Sequence, residues 1–344
     1  MISTFISNLL VTKPLVEKKN LLLCFDAFGT LFTPSKPIPV AYAQAATRHG
    51  INVGDTENPS EVGSSFKSAF KKASHENPNY GKATEMGAKK WWSNVIEDTF
   101  KPFLHEGQPF PPALTQELLR TYSSQSGYNL YGDVLPFFRL LRSTRALSNS
   151  SGSPGIWPWE RTVVGIITNS DDRVPSILRS FHLRTSYRRY GLETQGNVDT
   201  GSRKGRTPHV DFTVLSYDVG FEKPDRRIFA AAEEMLASTL ESTGSGSDAP
   251  ASSFEKLYVG DDLTKDVFGA EDAGWSSVLV ERNGINDQGY GLKVSEEEFE
   301  REGEVRGKRT VTKAGSLVDL CAWRPGRGPE ASPLRYVYTK GPFR

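Results

Sequence analysis

The sequence predicts an α/β fold: a doubly wound, mostly parallel, Rossmann-like sheet with an inserted all-helical cap domain. Three observations predict it. Short apolar runs with strand character alternate with amphipathic stretches over residues 161–282, which is the pattern of βαβ units. Four of the five runs are nearly continuous in Val, Leu and Ile, as strands buried on both faces require. Between the first run and the helix that returns from it lies a block, residues 38–127, without a strand candidate.

Taken in order, "NLLLCFDAF" (20–28) is the first strand. The next block reads as four helices, 39–50, 60–74, 85–101 and 112–125, because "SFKSAFKKA" and "KKWWSNVIEDTF" repeat apolar residues at helical spacing. The core then resumes with a helix at 132–146 and strands "RTVVGIITNS" (161–170), "FTVLSYDVG" (212–220), "EKLYVGDD" (255–262) and "SSVLVER" (276–282). Helices at 173–183, 225–238 and 264–274 separate them. The core is therefore expected over 18–37 and 128–323, and the cap over 38–127. Gly, Ser and Pro-rich stretches at 148–155, 191–208 and 242–253 read as flexible surface insertions, and 324–344 as a solvated tail. No internal repeat is present.

Composition excludes several function classes. With 42 Lys and Arg against 41 Asp and Glu, the net charge of +1 offers no global field for nucleic acid or an anionic membrane. No stretch reaches the ~18–20 apolar residues of a membrane helix. Cys24 and Cys321 are far apart and read as buried free thiols, which fits a reducing compartment. The first residues lack a secretory leader, so a cytoplasmic or nuclear location is expected; the acid-free start leaves a mitochondrial presequence as the alternative. The expected partner is a small phosphorylated molecule, and the expected assembly a monomer or homodimer.

Sheets of this type bind ligands outside the carboxyl ends of their strands. The first strand delivers Asp26 there, with Gly29 and Thr30 in the turn; the second delivers Thr168, Asn169 and Ser170. "GFEKPD" presents Lys223 after the third, and "GDDLTKD" presents Asp261, Asp262 and Asp266 after the fourth. Singly, each is no more than a helix cap or a turn. Together they form one site. An aspartate can attack phosphorus or carbon and form a covalent intermediate. Thr168 and Asn169 can hold phosphoryl oxygens, and Lys223 can balance clustered negative charge. Asp261 and Asp266, five apart at a strand-to-helix turn, can hold Mg²⁺ through hard oxygen ligands. Carboxylates converging without a cation would repel, so a metal is implied.

The set "DAFGTL", "ITNS", "EKPD" and "GDDLTKDVFGAEDAGW" resembles the four motifs of the haloacid dehalogenase superfamily, in the subfamily with a helical cap after the first strand. The cap sequence is similar to that of the rhythmically-expressed-gene-2-like group, also called haloacid dehalogenase-like hydrolase domain-containing protein 3. The likeness covers about 20–140, 161–190 and 210–282. It implies Asp26 as nucleophile, Lys223 as charge stabiliser and Thr168 as phosphate ligand, with Asn169 and Phe28 beside it. It also implies Mg²⁺ on Asp26, Asp261, Asp266 and the Phe28 carbonyl, with Asp262 as a neighbour. Superfamily phosphatases carry a second Asp, the general acid and base, where this chain has Phe28.

Three functions are compatible with this reading. The first is a weak Mg²⁺-dependent phosphatase working through an aspartyl-phosphate. The second is a non-catalytic protein that keeps the phosphate and metal pocket. The third is a 2-haloacid dehalogenase, whose resemblance lies in an aromatic residue at the Phe28 position and for which Arg48 is the nearest halide or carboxylate clamp. In the cap, "SHENPNYGK" (74–82) offers His75, Asn79, Tyr80 and Lys82 toward the substrate, and at least one of Trp91 and Trp92 is expected in the cap core.

Overall fold

The structure, a computed structural model, describes residues 19–147, 156–192, 207–242, 249–282, 291–301 and 304–326. The insertion expected at 148–155, residues 193–206 and 243–248 of the other two, and the tail beyond 326 lie outside the described residues.

The chain opens with β1 (Asn20–Phe25) and a short β2 (Phe32–Pro34). Helices α1 (Ile38–Arg48), α2 (Ser60–Glu76), α3 (Pro78–Gly81), α4 (Ala88–Phe100) and α5 (Pro112–Thr121) come next, and β3 (Tyr128–Leu130) returns the chain. Then come α6 (Val134–Leu147), β4 (Thr162–Thr168), α7 (Val174–Ser180), β5 (Phe212–Leu215), α8 (Ser216–Val219) and α9 (Arg226–Ser242). The last elements are β6 (Phe254–Gly260), a π-helical turn (Leu263–Phe268), α10 (Gly269–Asp272), β7 (Ser276–Val280), β8 (Lys293–Arg301) and β9 (Glu304–Ala314), with a 3₁₀ segment at Leu317–Ala322.

Seven strands form one sheet in the order β5-β4-β1-β6-β7-β9-β8. The pairs from β5 to β9 are parallel, and only β8 runs antiparallel to its neighbour. In β1 the two-residue period sorts the apolar run Leu21–Phe25 onto two faces. Leu21, Leu23 and Phe25 pack with Phe137, Phe138 and Leu141 of α6 and with Val174, Ile177 and Leu178 of α7. Leu22 and Cys24 pack with Ile228, Phe229, Ala232 and Leu236 of α9. Each fully buried Leu or Phe removes enough apolar surface to stabilise by about 1.5–3 kcal/mol, so both layers hold β1 and the turn at its carboxyl end. Cys24 and Cys321 are both buried free thiols.

The sequence places no strand after residue 282, yet β8 and β9 complete the sheet. The reason is electrostatic. "KVSEEEFER" lies against "EVRGKRTVTKA", so an acidic strand pairs with a basic one, and the apolar contact is left to single residues such as Val311, buried against Val267, Phe268 and Leu279. Lys313 bridges Glu297 at 2.7 Å and Glu281 at 3.0 Å. β5 is also shorter than read: it ends at Leu215, and Ser216–Val219 turn into α8, closed by Gly220 at φ 85°. The helix expected at 264–274 divides into the π-helical turn and α10.

Helices α1–α5 gather between β2 and β3, which pair antiparallel through Phe32↔Leu130 and Thr33↔Asn129. The two connections to this helical group thus run side by side as one ribbon. Trp91 is buried inside the group, its indole N–H donating to the Asn77 carbonyl at 2.9 Å. No helix of the described residues is long and apolar enough to cross a membrane.

Candidate active site

β1 ends in Phe25, and the Asp26 N–H continues its ladder to Val259 O at 2.9 Å. The chain then turns sharply at Gly29, φ 79°. A Cβ there would stand 2.1 Å from Asp261 Oδ2, so both the backbone angle and the close approach require glycine. Thr30 directs its hydroxyl back to Asp261 Oδ1 at 2.9 Å. Gly260 plays the same part across the sheet, since a Cβ on it would lie 2.2 Å from Asp266 Oδ2. The Asp262 N–H donates to that Asp266 oxygen at 3.0 Å, while its own carboxylate caps the π-helical turn at Thr264 and Lys265. Asp262 is therefore occupied as a cap.

The structure brings Asp26, Asp261 and Asp266 together, with one carboxylate oxygen from each within 4.8 Å of the others. Asp26 and Asp266 are buried and Asp261 is exposed. Lys223 joins them, its Nζ 2.6 Å from Asp26 Oδ1, 2.6 Å from Asp266 Oδ1 and 2.7 Å from the Tyr258 hydroxyl. Burial, partly offset by Lys223 and reinforced by Asp266 and Asp261, pushes the Asp26 carboxyl up to about 6. Burial alone would lower Lys223, but Asp26 and Asp266 hold its ammonium above the usual lysine range. Burial, with Asp266 and Asp26 nearby, keeps the Tyr258 phenol protonated, and it donates to Ile167 O at 2.6 Å.

Thr168 is buried at the end of β4. Asn169 forms a reciprocal pair with the Lys223 backbone, donating from Nδ2 to its carbonyl (3.0 Å) and accepting its N–H on Oδ1 (2.7 Å). The Phe28 ring packs edge-on against Phe32 and Tyr128, centroids 4.8 and 5.6 Å away. The ladder contacts of this turn use the Ala27 and Phe32 carbonyls, so that of Phe28 takes no part in them.

The cap residues divide. Asn79 and Tyr80 reach the core: Asn79 Nδ2 donates to Ser216 O at 2.7 Å and the Tyr80 hydroxyl to Asn169 O at 3.2 Å. Lys82 sets its ammonium 4.9 Å over the Tyr217 ring. His75 is exposed in the last turn of α2, which extends to Glu76 where a loop is expected. Arg48 is ion-paired with Glu117 of α5 and does not join the carboxylates.

Several residues at the site escape sequence reading. Tyr258 sits in an apolar strand, where only its need for a hydroxyl partner marks it. Trp92 donates its indole N–H to Asp171 at 2.7 Å, and Arg173 forks onto Asp171 while lying 4.4 Å over the Trp92 ring. A cavity of about 460 Å³ opens beside Arg173, bordered also by Lys89, Arg120 and Asp172. Arg282 donates to Thr30 O and to both oxygens of Asp133, bracing the turn behind Asp26.

The family model described as haloacid dehalogenase-like hydrolase matches residues 21–274. An uncharacterized hydrolase of Schizosaccharomyces pombe is 28% identical over 76% of this chain and 93% of its own length. Human haloacid dehalogenase-like hydrolase domain-containing protein 3 is 26% identical, covering 75% of this chain and 81% of its own. The Drosophila melanogaster rhythmically expressed gene 2 protein is 25% identical over 75% and 82%. Among solved structures, the magnesium-bound HAD-hydrolase YfnB of Bacillus subtilis aligns over 77% of this chain and 91% of its own, with 16% identity and a TM-score of 0.45. With its family model spanning both the carboxylate cluster and the helical insert, the chain belongs to the haloacid dehalogenase-like hydrolases.

Proposed function

We propose that this hydrolase is a slow, Mg²⁺-dependent phosphatase acting on a small phosphorylated metabolite. The observation that carries the reading is the convergence of Asp26, Asp261 and Asp266 within 4.8 Å, with a single ammonium bonded to two of them. Three carboxylates against one lysine leave uncompensated negative charge, and an all-oxygen donor set suits a hard divalent cation. Asp26, Asp261, Asp266 and the Phe28 carbonyl would hold it. Bound there, Mg²⁺ supplies charge neutralisation that lets a phosphoryl group approach the carboxylates.

Asp26 is the nucleophile. Its free carboxylate oxygen bonds to phosphorus as the ester P–O bond breaks, and the leaving oxygen takes its proton from solvent. Water then attacks the aspartyl-phosphate, phosphate departs and the carboxylate is restored. Thr168 and the Asn169 backbone hold the phosphoryl oxygens. Lys223 fixes the Asp26 carboxylate in one orientation through a 2.6 Å hydrogen bond. No carboxylate stands at position 28, and a positioned acid typically contributes about 10²–10⁴-fold. Turnover is therefore slow, favours acyl and aryl phosphates whose leaving groups depart as stable anions, and lets phospho-Asp26 accumulate.

The packing of Phe28 into the Phe32–Tyr128 cluster favours one second reading, a non-catalytic protein that binds phosphate and Mg²⁺. A panel of phosphate esters and 2-haloacids, assayed with and without Mg²⁺, tests both. Mg²⁺-dependent release of phosphate supports the phosphatase. Phosphate binding without turnover supports the second reading, and metal-independent halide release would replace both with a dehalogenase.

A further inference from the structure

The turn that carries α3 is built in a costly way. Asn79 (φ 47°, ψ 52°) and Tyr80 (φ 58°, ψ 31°) are both left-handed, and neither is glycine. Asn tolerates this region, but a bulky Tyr adopts it only at an energetic cost. Such strain persists only where surrounding contacts impose it. Here the contacts come from across the cap–core boundary. Asn79 and Ser216 exchange two hydrogen bonds, Nδ2 to the Ser216 carbonyl at 2.7 Å and the Ser216 hydroxyl to Oδ1 at 3.2 Å. Tyr80 donates to the Asn169 carbonyl at 3.2 Å, with its ring against Trp91 and Trp92.

Both core partners sit at strand ends, Ser216 after β5 and Asn169 after β4, and Asn169 leads on toward the carboxylates. Its side-chain amide is committed in both directions to the Lys223 backbone, and the Lys223 ammonium bridges Asp26 and Asp266. Three consecutive links thus connect the cap turn to the expected nucleophile: Tyr80 to Asn169, Asn169 to Lys223, and Lys223 to Asp26.

We propose that the Asn79–Tyr80 turn is a positioning element, through which the docked cap clamps Asn169 and so fixes the backbone that aims Lys223 at Asp26. Tyr80 acts on Lys223 and not on the substrate. The catalytic consequence rests on the phosphatase reading; the mechanical link does not.

Two measurements on the full chain separate them. The first is amide hydrogen exchange by NMR in the metal-free protein, comparing wild type with Tyr80→Phe, which deletes only the hydroxyl. The Lys223 N–H, held by Asn169 Oδ1, should exchange roughly three- to tenfold faster, the equivalent of one hydrogen bond, while the Leu23 amide in β1 keeps its rate. An unchanged Lys223 amide overturns the proposal, as does equal acceleration at Leu23, which reports general destabilisation.

The second is a kinetic cycle with p-nitrophenyl phosphate as substrate. Tyr80→Phe should lower kcat about three- to tenfold with KM unchanged, and should have no further effect in an Asn169→Ala background, where the route to Lys223 is already cut. A raised KM with unchanged kcat, or effects that multiply, would make Tyr80 a substrate contact and overturn the proposal. If Lys223 exchange responds but the wild type hydrolyses no ester, the link stands and the phosphatase reading falls.

Discussion

The spacing between Gly29 and Asp261 leaves no room for even a methyl group, since a Cβ would stand 2.1 Å from the nearest carboxylate oxygen. Gly29→Ala must therefore push Asp261 aside and also hold a φ of 79°. It should cost about 1–2 kcal/mol of stability and weaken Mg²⁺ binding at least tenfold, read by calorimetric titration of the metal. An affinity equal to wild type would show that Asp261 does not touch the ion. Phe28 marks the other limit of the turn. Its ring has aromatic neighbours but no proton to give, so Phe28→Asp should raise turnover of alkyl phosphates by about 10²-fold or more. The gain on p-nitrophenyl phosphate should be smaller, because that leaving group departs without an acid. Equal gains on both substrates would mean that the new carboxylate activates water alone. If the wild type already hydrolyses alkyl esters at ordinary enzyme rates, another group is the acid. His75 is then a poor replacement, exposed as it is in the last turn of α2.

The elements legible in the sequence are those whose burial is written as apolar runs rich in Val, Leu and Ile: β1, β4, β6 and β7 lie where such runs occur, and the ends of the first three deliver Asp26, Thr168, and Asp261 with Asp266. The parts that escape reading are held by charge or by single hydrogen bonds. The β8–β9 pair has an acidic and a basic strand and almost no apolar period, so hydrophobic pattern cannot find it. The left-handed turn at Asn79 and Tyr80 is invisible because only tertiary contacts impose it. Arg282 is the clearest case. It ends the β7 segment as one more surface-type residue in the sequence, yet its side chain is only 5% exposed and joins three pieces of chain. Its guanidinium donates to Thr30 O behind the nucleophile turn and to Asp133 ahead of α6, and Asp133 in turn accepts the Leu317 N–H at 2.7 Å. Removing one partner of a buried ion pair strands the other, at about 3–5 kcal/mol. Arg282→Gln should therefore lower stability by about 3 kcal/mol, measured by urea unfolding, and loosen Thr30 on Asp261. A loss below about 1 kcal/mol would place the pair among ordinary surface salt bridges.

At the scale of the whole molecule, the sheet collects at the carboxyl ends of its central strands β1 and β6 more negative charge than it can neutralise alone. Asp26 and Asp266 are buried and share one ammonium, while Asp261 depends on the Thr30 hydroxyl. A cation bound only by the folded chain stabilises it by mass action, about 2.7 kcal/mol at a hundredfold excess over Kd. For a chain of 344 residues that corresponds to a rise in Tm of about 3–5 °C. The size of the rise should depend on Lys223. In Lys223→Met the two buried carboxylates lose their shared partner, and the metal-free protein should be less stable than wild type by about 3–5 kcal/mol. Divalent charge can then replace part of what the ammonium supplied, so Mg²⁺ should raise the Tm of this variant more than that of wild type. Asp261→Ala should do the reverse: it lowers the repulsion, leaves Lys223 with both partners, and cuts the Mg²⁺ response. Differential scanning calorimetry of the three proteins, each in EDTA and in millimolar Mg²⁺, orders the shifts as Lys223→Met above wild type above Asp261→Ala. Equal shifts in all three would mean that the ion binds elsewhere, and that the carboxylates and Lys223 form a self-contained structural network.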